Sequence, residues 1–216
     1  MSEIKIKCVG FDADNTLYKT KEAAKGADMA AMRALAPEAN ASPEELYEKF
    51  LEIVRGIKNS RDPLVRHRRY SYGKLCALFG ADSAMVEKMY QAFAAELLAK
   101  IEKIEGVEKV LENLSARGIK MFVITEDNKL ITEKKLESLR LAKYFSGITS
   151  SDDTKIMKPD VSYYEMLMKA CEPAETLVVG DSLEKDLALP RDLGMNILLV
   201  EKPEDLRKIA ADFFAH

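Results

Sequence analysis

The stretch Val9-Gly10-Phe11-Asp12-Ala13-Asp14-Asn15-Thr16-Leu17-Tyr18 decides how the chain is read. A short apolar run ends there in two carboxylates one residue apart. Residues on a strand alternate faces, so Asp12 and Asp14 share a side, and α/β proteins place their chemistry just past the ends of buried strands. Two carboxylates ~4 Å apart repel by about 4 kcal/mol at an effective dielectric of about 20, so the pair requires a cation or a shared proton. A hard divalent ion such as Mg²⁺ meets that need, because it takes oxygen ligands from carboxylates and from phosphate. By itself the pattern also suits an ordinary turn after a strand, where Asp and Asn are common.

Three later segments extend the pattern. Phe122-Val123-Ile124-Thr125 is an apolar run ending in a hydroxyl. Lys158-Pro159-Asp160 sets a lysine before a proline suited to starting a helix. Val178-Val179-Gly180-Asp181-Ser182-Leu183-Glu184-Lys185-Asp186 is an apolar run ending in acids. In order and spacing, these segments together with the first resemble the four motifs of the haloacid dehalogenase-like (HAD) superfamily of phosphohydrolases. The resemblance runs from Ile6 to about Val200, apart from an insert after Tyr18.

That resemblance implies a Mg²⁺-dependent phosphatase acting on a small phosphorylated metabolite. It makes Asp12 the nucleophile that forms an aspartyl-phosphate, and Asp14 the acid that protonates the leaving oxygen and then the base that activates water. An acid at position 14 suits an alcohol leaving group, and the dehalogenase branch of the superfamily lacks it. Thr125 is expected to hydrogen-bond a phosphoryl oxygen beside the amides of the next helix. Lys158 is expected to neutralise the phosphoryl group and the nucleophile. Lys155 competes for that role, and the Lys-Pro-Asp run favours Lys158.

Mg²⁺ is expected on Asp12, the backbone carbonyl of Asp14 and Asp181. Asp186 is expected to hold a metal-bound water, to orient Lys158 or to ligate directly. As a local pattern, Asp181 and Asp186 also read as an N-cap and a first-turn acid of a helix. Thr16 is expected to brace the loop through its hydroxyl. Two departures from the family stand out. Glu126 follows Thr125 where many relatives carry a neutral residue, and is expected to point outward or towards a cation. Pro190 stands in a helix where relatives often have Gly-Ala, and removes a helix hydrogen bond.

Strands are expected at 6–11, 120–125, 148–150, 176–180 and 196–200. From Lys120 onward they alternate with helical patterns, which argues for a doubly wound parallel sheet with helices on both faces, the HAD Rossmann-like α/β core. Between Tyr18 and Gly106 strand signals vanish and helical ones repeat. The insert resembles the all-helical cap of the phosphoglycolate phosphatase-like branch, giving a core of 1–18 and 106–216 and a cap of 19–105.

Within the insert, Lys21 to Leu35 is alanine-rich and helix-prone. Ser42-Pro43-Glu44-Glu45 starts a helix with Leu46, Phe50, Val54 and Ile57 on one face. Asp62-Pro63 starts another that Gly80 ends, and a last one spans 83–103. The run Arg66, His67, Arg68, Arg69, Tyr70 is the densest basic cluster of the chain, read as a solvated helix face or as a holder for a second substrate anion.

Composition bounds these readings. The 216 residues are 47% hydrophobic and 32% charged with a formal net charge of −3, so no overall basic surface recommends nucleic acid. No run approaches the ~20 apolar residues of a membrane span, and the first seven residues are too polar for a signal peptide, so a cytoplasmic protein is expected. Cys8, Cys76 and Cys171 are an odd and widely spaced set, expected to be reduced core residues without a disulfide or thiolate zinc site. The same core also serves phosphotransferases and phosphomutases, and a regulatory protein can retain the fold without hydrolysis.

Overall fold

Short apolar runs build the sheet. In the computed structural model, which describes residues 6–213, the strands are β1 (Cys8–Asp12), β2 (Tyr18–Lys19), β3 (Glu102–Lys103), β4 (Lys120–Ile124), β5 (Gly147–Thr149), β6 (Thr176–Gly180) and β7 (Asn196–Leu199). β5, β4, β1, β6 and β7 lie in that order as one parallel sheet. Every residue of β1 and β6 is buried, which is why both read as unbroken apolar runs rather than alternating ones. The winding reverses at β1, between β4 and β6, and that reversal opens a crevice past the carboxyl ends of the strands. Asp12 is in register with Ile124, so Asp12 and Thr125 emerge side by side at that edge.

The strand bounds agree with the sequence reading to within two residues. One ladder escaped it. β2 and β3 pair antiparallel, Tyr18 with Lys103 and Lys19 with Glu102, inside the region read as wholly helical. Two residues per strand carry no period to detect. The chain divides into two compact units, Met1–Lys19 with Glu102–His216, and Thr20–Ile101.

The second unit is helical: α1 (Lys21–Ala39), α2 (Pro43–Ile57), α3 (Pro63–Arg66), α4 (Arg68–Leu78) and α5 (Met85–Lys100). Ser42 caps α2 by accepting the Glu45 N–H at 3.2 Å, with Pro43 at the first helical position. The helix expected from Asp62 to Gly80 is two helices. His67 is extended and its Nδ1 accepts the Arg69 N–H at 3.1 Å, so a histidine caps α4 and ends α3 after one turn. α5 stops at Lys100, because Glu102 and Lys103 are taken by β3.

In the first unit the helices are α6 (Val107–Ala116), α7 (Lys129–Ser138), α8 (Ser151–Thr154), α9 (Glu165–Ala170), α10 (Ala188–Asp192) and α11 (Lys208–Phe213). Tyr163, Tyr164, Leu167 and Leu187 pack with Cys8, Phe122, Ile124 and Val178 of the sheet. Pro159 does not start a helix as expected. Asp160 accepts the Ser162 N–H at 3.1 Å and caps a 3₁₀ turn at Val161–Tyr164 instead.

The cysteine expectation fails for one pair. Cys8 of β1 and Cys171 at the end of α9 form a disulfide, with Cα atoms 6.2 Å apart across a separation of 163 residues. α9 packs on β1, and that tertiary contact brings together two thiols whose spacing gave no sign of pairing. Cys76 is free and buried. Among the described residues, no helix is long and apolar enough to cross a membrane.

Candidate active site

Three of the expected residues lie at the carboxyl edge of the sheet because a strand ends at or just before them. Asp12 is the last residue of β1, Thr125 follows β4 and Asp181 follows β6. Lys158 arrives from the loop after α8, its side chain only 1% exposed. Its ammonium donates to Asp12 Oδ1 at 2.7 Å, to Asp186 Oδ1 at 2.8 Å and to the Ile124 carbonyl at 2.8 Å. An ammonium has three donors, and these partners use all of them. Lys155, the competing candidate, is exposed at the end of α8.

Asp12 is buried. Its second oxygen accepts the Thr16 hydroxyl at 3.2 Å, which is the brace expected of Thr16. Burial pushes the Asp12 carboxyl up to about 7; Lys158 opposes the shift, while Asp186 and Asp14 add to it. Burial also works against charge on Lys158, but Asp12 and Asp186 outweigh it and hold the ammonium well above the ordinary lysine range.

Asp12, Asp181 and Asp186 each offer a carboxylate oxygen within 4.8 Å of the others. Crowded acids of this kind, all oxygen donors, suit a hard divalent cation, which would offset the repulsion that Asp186 and Asp14 add to the larger effect of burial on Asp12. Asp186 is partly committed already, because its Oδ2 accepts the Ser182 N–H at 3.1 Å while Oδ1 accepts from Lys158. The cap of the following turn is Ser182, whose hydroxyl accepts the Lys185 N–H, so Asp181 is not the N-cap, while Asp186 does lie in the first turn.

The Asp186 backbone shows how the chain accommodates Pro190. Residues Leu183–Leu187 form one π-helical turn before α10 begins. An α-helix would bond the Asp186 carbonyl to the N–H of residue 190, and proline has none. Tyr164, fully buried, donates its hydroxyl to that carbonyl at 3.0 Å instead.

Thr125 is buried, and its hydroxyl accepts the Asp127 N–H at 3.1 Å. Glu126 pairs with Lys185 at 2.8 Å. The Asp14 side chain is 30% exposed, and a lysine that the sequence motifs do not include holds it. Lys135 of α7, with a side chain 1% exposed, donates to Asp14 Oδ1 at 2.9 Å and to Asp127 Oδ2 at 2.8 Å. Burial disfavours its charge, yet Asp127 and Asp14 keep it protonated well above the ordinary range. The sequence did carry a sign of it. Ile131, Thr132, Lys135 and Leu136 share one helical face, and a lysine within such a stripe needs a partner.

The basic cluster of the helical unit is spent internally. Arg68 makes a two-pronged pair with buried Asp28 at 2.7 and 2.9 Å, and Tyr72 donates to the same acid at 2.8 Å. Arg69 pairs with Glu87 at 2.9 Å and lies 3.5 Å from the centroid of the Tyr90 ring. Arg66 donates to the Lys58 carbonyl. Within that unit a cavity of about 300 Å³ is lined by Tyr47, Phe50, Val54 and Ile57 of α2, with Lys21 and Lys25 of α1.

Known proteins of this architecture give the arrangement a context. The chain is 27% identical over 197 residues to the glyceraldehyde 3-phosphate phosphatase of Methanopyrus kandleri, covering 88% of this chain and 82% of that one. Its structure is similar to that of a 2-haloacid dehalogenase from Pseudomonas syringae pv. Tomato DC3000, with a TM-score of 0.75, 25% identity and coverage of 96% and 99% of the two chains. A HAD-hydrolase of Bacillus subtilis solved with bound magnesium superposes with a TM-score of 0.70 at 20% identity, again over 96% and 99% of the chains. The model of the haloacid dehalogenase-like hydrolases matches residues 9–200, which include all four clusters of acids, hydroxyl and lysine at the sheet edge, and the chain belongs to that family.

Proposed function

We propose that this hydrolase is a Mg²⁺-dependent phosphatase that cleaves a small phosphorylated metabolite through an aspartyl-phosphate on Asp12. The observation that carries the reading is Lys158, an ammonium buried between Asp12 and Asp186 with the Asp181 carboxylate close by. Such a site matches a phosphoryl dianion and its metal ion better than a neutral ester or an organic halide. The phosphatase relative supports the same class.

Asp12 attacks phosphorus through one carboxylate oxygen. A new P–O bond forms, the ester P–O bond breaks, and Asp14 gives its proton to the leaving alkoxide. Asp14 then takes a proton from water as that water attacks the aspartyl-phosphate, which frees orthophosphate and restores the Asp12 carboxylate. Thr16 fixes the Asp12 rotamer, and Lys158 offsets the charge that gathers on the phosphoryl oxygens. Asp12, Asp181 and Asp186 with the Asp14 carbonyl would hold Mg²⁺, which supplies Lewis-acid neutralisation of a phosphoryl oxygen. Halide displacement needs no proton donor, so Asp14 favours an ester with an alcohol leaving group over the chemistry of the dehalogenase neighbour. The helical unit at 20–101 is read as the cap that selects among leaving groups.

The test is phosphate release from a panel of triose, sugar and glycolate phosphates, with and without Mg²⁺, using Asp12→Asn as the control. Metal-dependent release confined to the unmutated protein is expected. Equal release from Asp12→Asn, or release only from halogenated acids as halide, would sink the reading.

A further inference from the structure

Lys135 is difficult to explain by packing. It lies on the buried face of α7 beside Ile131 and Leu136, where an aliphatic residue would fill the same space without the desolvation cost of an ammonium. Its position makes sense only through its partners. Asp14 comes from the loop two residues past β1 and Asp127 from the loop three residues past β4, which are neighbouring strands. Lys135 lies 121 residues from the first and eight from the second, and its one ammonium joins the two loops.

The third side of that ammonium faces an aromatic ring, with the Tyr18 centroid 5.2 Å away. Tyr18 is fully buried and forms a backbone bridge with Asp14. Asp14 is therefore held at its backbone by Tyr18 and at its carboxylate by Lys135. Asp127 in turn donates its N–H to the Thr125 hydroxyl, so the same lysine ties Asp14 to the loop that carries Thr125.

We propose that Lys135 is a positioning residue that aims the Asp14 carboxyl group at the leaving oxygen. This rests on the phosphatase reading above. A proton-transfer group must stay within hydrogen-bond reach of the atom it serves, and a half-exposed aspartate without a tether samples rotamers that do not. The consequence is selective. Loss of the tether penalises esters whose leaving group needs a proton and spares those whose leaving group departs as a stable anion.

The experiment compares kcat/KM, which runs only through the first phosphoryl transfer, for an alkyl phosphate and for p-nitrophenyl phosphate in Mg²⁺. Lys135→Met is measured beside Asp14→Asn. Because Lys135→Met leaves two carboxylates facing each other, Lys135→Met with Asp127→Asn is measured too, which removes that repulsion if the single variant does not fold. Since general acid catalysis is worth about 10²–10⁴-fold, a loss of roughly 10²-fold on the alkyl ester is expected, against less than about 5-fold on the aryl ester. Asp14→Asn should show the same selectivity. Equal losses on both esters, or no loss on either, would overturn the role of Lys135 while the phosphatase reading stands. No phosphate from either ester with the unmutated protein would remove that reading itself, and this proposal with it.

Discussion

The Lys158 ammonium lies 2.7 Å from Asp12 Oδ1, although 146 residues separate the two in the chain. Both side chains are almost wholly buried, and Asp186 completes the group at 2.8 Å. Lys158→Met would leave two buried carboxylates without their cation. Breaking a buried pair in this way costs about 3–5 kcal/mol, so urea unfolding in metal-free buffer should show a loss of that order, together with loss of phosphate release. Unchanged stability would mean that Asp12 and Asp186 do not depend on Lys158.

Gly180, the last residue of β6, makes room for Asp186. A Cβ at Gly180 would lie 2.6 Å from the Asp186 Cβ and 3.0 Å from its Cγ. The obstruction is the root of the aspartate rather than the tip of a flexible chain, so Gly180→Ala should displace the carboxylate. Overpacking of this kind costs about 1–3 kcal/mol. The expected outcome is a lower unfolding midpoint and a higher Mg²⁺ requirement for turnover, both readable by titration.

Tyr164 and Pro190 form a matched pair around the Asp186 carbonyl. Tyr164→Phe leaves a buried acceptor unsatisfied, at a cost of about 1–3 kcal/mol. Pro190→Ala restores an N–H able to take that carbonyl in an α-helical bond. The double variant should therefore be less destabilised than the sum of the single ones, and a double-mutant cycle from urea unfolding measures the coupling. Strict additivity would refute the compensation.

The Cys8–Cys171 disulfide makes a prediction that chemistry checks directly. Denatured, unreduced protein should expose a single reactive thiol, Cys76, and reduction should release two more. Removing a crosslink that closes a long loop typically costs about 2–4 kcal/mol, so Cys171→Ser should unfold at lower urea than the oxidised protein. Three thiols before reduction would show the pair to be open.

Much of the fold is legible in local sequence, because a buried strand and a capped helix each leave a mark within a few residues. β1 and β6 read as apolar runs since both faces are covered, and Ser42-Pro43 announces α2 through a cap and a missing N–H that the helix does not need. The acids at positions 12, 14, 181 and 186 were visible for a related reason, as polar residues ending those runs. His67 was not, since its capping role depends on its ring turning back to one N–H rather than on any composition.

The sequence by itself determined the five strands of the parallel sheet, the acids at their ends and the helical character of most of the insert, all of which follow from the period and termination of contiguous segments. Only the tertiary structure decided who meets whom: Lys158 with Asp12, Lys135 with Asp14, Tyr164 with the Asp186 carbonyl and Cys8 with Cys171. Those pairings depend on strand order and register, and a parallel sheet sets them through crossover connections that bring distant residues to one edge.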